Sequence, residues 1–247
     1  MKIKNPSGEN IDFVIEGDQN SSKTLILVHG FGTGKDESQN LFPDFVKSLK
    51  GSLRIIRFDF TGYGLSEGRD VDVDYIKQTK DLNTIINYVN NNFSGQIYIY
   101  AHSMGCFITA MLNPEGIAKT ILGAPPSTAA DIGPAIQDRI IKQGGRVDEK
   151  GITIYPRSSG DITKIGPSFW QVIKNLDEHQ AVVRLAENTK LLILKPMQDD
   201  VAGNDNYEHY KQIKNLTYQE INGGHNFSKP EDREVLIQKV KKFLLDS

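Results

Sequence analysis

Six short apolar runs, rich in β-branched residues and each bounded by turn residues, recur along the chain with longer stretches between them. They are TLILVHG (24–30), LRIIRFD (53–59), QIYIYAH (96–102), AKTILGA (118–124), KLLILKP (190–196) and NLTYQEI (215–221). A strand that is apolar on both sides must be covered on both sides. Parallel strands meet that requirement, because each crossover lays a helix on the sheet, so the pattern predicts an α/β fold with a mostly parallel sheet. IDFVIEG (11–17) is expected as an antiparallel strand at the leading edge, paired with the KIK segment before it.

The intervening stretches carry helical phase. Ile76, Leu82, Ile85, Ile86 and Val89 recur at helical spacing, and Asn90 to Gly95 ends the pattern. In the last helix Ser228 and Glu231 form a capping-box pattern with Pro230 just inside the start. Val235, Leu236, Val240, Phe243 and Leu244 are expected to supply its buried stripe. The interval from Ala124 to Lys190 is too long for a simple connection. Within it IGPAIQDRIIKQ and PSFWQVIKNL read as helices and GRVDEKGITIYPRS (145–158) as a small hairpin. A cap over 125–187 is therefore expected, inserted into a core domain made of 1–124 and 188–247.

Charge excludes several classes of partner. The chain has 29 Lys+Arg against 31 Asp+Glu, with no basic stripe for nucleic acid or an anionic membrane. The single cysteine, Cys106, allows no internal disulfide, and histidines 29, 102, 179, 209 and 225 show no metal-ligand spacing, so no metal is expected; chemistry carried by side chains alone, as at Ser103, needs no cofactor. MKIKNPSGEN lacks an apolar leader and no run approaches membrane-spanning length, which leads to the expectation of a cytoplasmic protein, monomeric or homodimeric.

The chemistry centres on YAHSMGC (100–106), where Ser103 follows an apolar run and stands between Ala101 and Gly105. Small residues two before and two after a serine, between a strand and a helix, make a nucleophile elbow: the turn is too tight for larger side chains. A hydroxyl is a weak nucleophile at neutral pH and needs a base and a group to orient that base. Of the histidines after Ser103, His179 falls in the cap and His209 on the polar stretch NYEHYKQ. His225, in NGGHNF just past the last strand, is the expected base. LLILKPMQDDVAG offers Asp199 and Asp200 as the acid; Asp199 is favoured, two residues before Val201, with Asp200 left as a solvated turn residue. Acyl transfer also needs oxyanion donors, expected from the N–H of Met104 and, in HGFGTG (29–34), from that of Phe31, with His29 structural. That glycine-rich turn lacks the Lys-Ser/Thr ending of a phosphate loop.

With LVHGFG, FDFTGYGLSEG, AHSMG, QDDV and GGHNF in this order, the chain resembles the α/β-hydrolase superfamily over nearly its whole length. Within it, HGFGTGKDES, DFTGYGLSEG and the hairpin-bearing cap look most like bacterial serine carboxylesterases of the cinnamoyl or feruloyl esterase type. Relatives often have His at the position of Tyr63, Gly at that of Pro196, and Val-Pro where this chain has Ala202 and Gly203. The resemblance implies an eight-stranded, mostly parallel sheet with helices on both faces, a Ser103–His225–Asp199 triad and a small-molecule ester substrate cleaved through an acyl-enzyme. Thioester or small-acylglycerol hydrolysis and perhydrolysis remain alternatives, as does a binding protein on the same scaffold. Tyr155, Phe169 and Trp170 are candidates to line the acyl pocket, although cap aromatics also serve as core. Arg157 could meet a carboxylate or stand solvated. A histidine base predicts an acid limb near pH ~6.5.

Overall fold

The computed structural model describes residues 1–126, 132–157, 160–202 and 207–246. The expected strands form: β1 (Lys2–Lys4), β2 (Asn10–Gly17), β3 (Lys23–Val28), β4 (Arg54–Phe58), β5 (Gln96–His102) and β6 (Ile117–Gly123). Helix α1 (Leu41–Leu49) joins β3 to β4, α2 (Tyr75–Asn92) joins β4 to β5, and α3 (Met104–Leu112) joins β5 to β6. The long interval then supplies α4 (Ile132–Lys142), β7 (Thr153–Pro156), β8 (Ile162–Ile165), α5 (Pro167–Ile173) and α6 (Glu178–Asn188). The chain finishes with β9 (Lys190–Pro196), β10 (Leu216–Ile221) and α7 (Pro230–Leu245).

Eight strands make one sheet in the order β1-β2-β4-β3-β5-β6-β9-β10. β1 and β2 run antiparallel at the edge, and every pairing from β4 to β10 is parallel. The two-residue period of each central strand divides its side chains between two cores. Leu25 and Leu27 of β3, Tyr98 and Tyr100 of β5, and Leu192 and Leu194 of β9 point to the layer holding α1 and α7. Ile26 and Val28, Ile99 and Ala101, and Leu191 and Ile193 point to the opposite layer, which holds α2, α3 and α6. Both faces are buried, which explains why these strands read as continuous apolar runs.

Four local expectations are corrected. In α2, Leu82, Ile85, Ile86 and Val89 are buried, but Ile76, near the free start of the helix, is exposed. In α7 the stripe is Leu236, Ile237, Val240 and Leu244; Val235 is exposed, one residue off the buried face. The capping box is not made, because Pro230 occupies the first helical turn and Lys229 takes the cap position without a side-chain bond, leaving Ser228 one residue too early. The hairpin also differs. Arg146 and Ile154 share a single bridge, while the longer antiparallel pairing is between β7 and β8, a segment without a legible strand pattern. Ser158, at the end of the expected hairpin, lies outside the described residues.

Candidate active site

In an open parallel sheet ligands gather beyond the carboxyl ends of the strands, and here the loops after β3, β5, β9 and β10 converge at that edge. Ser103 follows β5 with φ 52° and ψ −124°, outside ordinary helix and strand regions. Its N–H donates to the Gly123 carbonyl at 3.0 Å, and its own carbonyl accepts from Cys106 N–H at 3.0 Å, so the turn is fixed on both sides. A Cβ at Gly105 would stand 2.7 Å from the carbonyl oxygens of Val28 and His29. The backbone of β3 therefore forbids a side chain there.

The loops after β9 and β10 bring Asp199 and His225 to this serine. His225 Nε2 lies 2.9 Å from Ser103 Oγ, and His225 Nδ1 lies 2.9 Å from Asp199 Oδ2. Of the two acids the sequence offers, Asp199 is the one that reaches the imidazole; Asp200 is exposed. The other oxygen of Asp199 accepts the N–H groups of Val201 and Ala202 at 2.8 and 2.7 Å. Burial would raise the Asp199 pKa, but the His225 hydrogen bond and charge and these N–H donors hold it below the usual carboxylate value. Burial pushes His225 below its ordinary value; Asp199 opposes that shift and the charge of His102 adds to it. His225 thus remains a neutral acceptor to a lower pH than a free histidine.

Met104 is the first residue of α3, where an N–H has no intrahelical acceptor. The Phe31 N–H likewise has no acceptor among the described residues. Both residues line the cavity beside Ser103. His29 is buried: its Nε2 accepts Phe60 N–H at 3.0 Å and its Nδ1 donates to Gly30 O at 2.8 Å, tying together the loops after β3 and β4. His179 and His209 pack against each other, their ring centroids 5.3 Å apart, and neither lines the cavity.

Behind the serine is a pair that the sequence reading did not single out. The buried Glu37 carboxylate accepts Gly30 N–H at 2.5 Å and Ser38 N–H at 2.7 Å, and its Oε2 lies 3.3 Å from His102 Nδ1. His102 Nε2 donates to the His225 carbonyl at 3.0 Å. Burial disfavours charge on both side chains, but each partner outweighs it for the other: Glu37 is held below its ordinary pKa and His102 above it. Both residues stand inside quoted motifs, HGFGTGKDES and AHSMG. Their pairing depends on bringing the loop after β3 against the elbow, which no local pattern announces.

A cavity of about 230 Å³ covers these groups. Tyr155 of β7 and Phe169 of α5 reach it, and Phe31 packs between them with centroids 6.3 and 5.4 Å away. Trp170, the third candidate, does not line it and serves as core instead. Its indole is buried, donates to Thr153 Oγ1 at 3.1 Å and packs on Phe169, because adjacent residues on α5 face different ways. Arg157 and Arg139 also line the cavity. Tyr63, where relatives often carry His, is buried edge-on to His29 and Phe31. Pro196 ends β9, and Gly203 lies outside the described residues. Among the described residues, no helix is long and apolar enough to cross a membrane.

Comparison with known proteins gives these observations a context. The family model described as "Serine aminopeptidase, S33" matches residues 19–147, more than half of the chain. A curated relative from Arabidopsis thaliana, "Probable lysophospholipase BODYGUARD 1", is 29% identical over 114 residues, 44% of this chain and 24% of that protein. The chain thus spans only about a quarter of that relative. Among solved structures, Est1E from Butyrivibrio proteoclasticus with bound ferulic acid superposes with a TM-score of 0.75 at 21% identity, covering 100% of this chain and 98% of that one. The Pyrococcus furiosus esterase Pf2001 gives 0.68 at 17% identity, covering 99% and 90%. At such identities these likenesses establish the fold, and the chemistry has to be argued from the site.

Proposed function

Since the chain belongs to the S33 serine aminopeptidase family of α/β hydrolases, we propose that it hydrolyses carboxylic esters by way of an acyl-enzyme on Ser103. The observation that carries this reading is the continuous hydrogen-bonded line from Ser103 Oγ through His225 to Asp199, both links at 2.9 Å. His225 Nε2 removes the Ser103 proton as Oγ attacks the ester carbonyl. The oxyanion is received by the N–H groups of Phe31 and Met104. Collapse expels the alcohol, which takes the proton from His225. A water then repeats the sequence on the acyl-enzyme, giving its proton to His225 and releasing acid and free serine. Asp199 accepts the hydrogen bond of His225 Nδ1–H throughout and thereby keeps Nε2 the basic nitrogen.

Ester rather than aminopeptide cleavage is supported by the charge of the cavity. An aminopeptidase must receive a substrate ammonium, which calls for an unengaged carboxylate. The carboxylate lining this cavity, Glu37, is already committed to His102 and two backbone N–H groups. Of the segment 125–187, we assign α4, β7, β8 and α5 as the cap, of which α4, β7 and α5 contribute lining residues, whereas α6 packs on α3 in the layer over the sheet. The substrate is then a small ester bound between cap and strand ends. The Pyrococcus furiosus neighbour named as an esterase and the relatives named as probable lysophospholipases support the same bond class.

The test is hydrolysis of p-nitrophenyl esters of increasing acyl length, with methyl ferulate and a lysophospholipid, by wild type and Ser103→Ala. Loss of at least about 10³-fold in kcat on substitution is expected. A folded wild type that turns over none of them and is not labelled by a fluorophosphonate would overturn the reading.

A further inference from the structure

We propose that the cavity recognises an oxyanion group, a carboxylate or a phosphate, carried by the ester substrate, with Arg139 as its receptor and Arg157 beside it. For turnover this rests on the hydrolase reading above; for binding it does not.

Ala135, Ile136 and Arg139 lie within one turn of α4 and form the face of that helix lining the cavity. The Arg139 side chain has no hydrogen bond or ion pair among the described residues, and its Nε is buried without a partner. A solvated arginine needs none, but a sealed guanidinium nitrogen is costly unless an acceptor arrives. The guanidinium fork matches a carboxylate or phosphate through paired N–H donors.

Nearby cations are treated differently. Lys142, one turn further along α4, pairs with Asp138 at 2.7 Å on the exposed side, and Lys174 pairs with Glu149 at 2.5 Å. Arg157 donates Nη2 to the Phe31 carbonyl at 2.9 Å and lies over the Tyr155 ring, 4.7 Å from its centroid, so it reaches the cavity with most of its N–H groups uncommitted. The lining carboxylate, Glu37, is balanced by His102, whose pKa is raised by that same contact. Against two guanidinium groups, no described carboxylate of the lining remains to cancel the charge. A neutral ester would leave Arg139 Nε as it is. An anionic one, with a spacer short enough for a cavity of about 230 Å³, would satisfy it.

The experiment compares matched esters on wild type, Arg139→Gln and Arg139→Lys. Monoethyl against diethyl adipate places a carboxylate on the acyl side; butyryl glycerol-3-phosphate against monobutyrin places a phosphate on the alcohol side. Wild type should favour the charged member of one pair by about tenfold or more in kcat/KM, and that pair names the group recognised. Arg139→Gln should lower kcat/KM for that ester about 10- to 100-fold and leave its neutral partner within about threefold, with Arg139→Lys between. Calorimetry with adipate and inorganic phosphate, on Ser103→Ala with and without Arg139→Gln, reads binding apart from turnover. Arg139-dependent binding without turnover of any ester would sink the hydrolase reading and support the anion site. Equal loss on charged and neutral esters, or binding indifferent to Arg139, would overturn the anion site.

Discussion

At the strand ends the acid and the base of the relay are each held from at least two directions: Asp199 by His225 and two backbone N–H groups, and His225 by Asp199 and Ser103. Across the cavity, in the segment from α4 to α5, Arg139 is held by none of the described residues, and Arg157 by one carbonyl and two ring faces. The difference lies in what each region faces. Groups that move protons among themselves have their partners supplied by the fold. Groups that meet a substrate have to keep some bonding capacity in reserve.

The strongest way to break this contrast is at the acid. Asp199→Asn should keep the side chain in place but offer an N–H to His225 Nδ1, which forces the ring proton onto Nε2 and removes the base. A fall of about 10⁴-fold in kcat is expected, with Asp200→Asn nearly silent. If the two substitutions behaved alike, the strand-end bonding would not define the relay.

Trp170→Ala sharpens the other side. With its indole in the packing of α5 rather than at the cavity, the substitution should cost about 3–5 kcal/mol of stability by denaturant titration and leave acyl preference unchanged. A changed preference with stability retained would place Trp170 among the substrate contacts.

His102→Gln should have the smallest effect, on pH dependence. The His102 charge lowers the His225 pKa, and Glu37 and Asp199 raise it. Removing that positive charge raises the pKa, so the neutral base is lost at a higher pH as the solution is acidified. The acid limb of kcat/KM, expected below the ordinary ~6.5 in wild type, should therefore move upward in the variant. A limb unchanged or displaced downward would show that the buried pair does not act on the base.

What was legible in the sequence follows a similar division. The central strands were readable because burial on both faces leaves no polar alternation to confuse them, and Ser103 and His225 because glycines and small residues mark the tight loops that carry them. The acid is narrowed to two neighbours with Asp199 favoured, and side-chain direction in the loop, which spacing alone does not determine, separates them. β8 was missed because ITKI is four residues long and alternates weakly; it is a strand because β7 is beside it. The Glu37–His102 contact and the solitary Arg139 share a reason for escaping notice, since each is defined by what the tertiary fold does or does not place next to it.

Ser103 occupies a backbone conformation that a residue with a Cβ rarely adopts, at φ 52°. Such a position carries on the order of 1–3 kcal/mol of strain, and glycine would relieve much of it. Selection for heat resistance and selection for turnover therefore pull in opposite directions at this one residue. A library of variants sorted only by melting temperature would enrich glycine at position 103 and return a sturdier protein without a nucleophile.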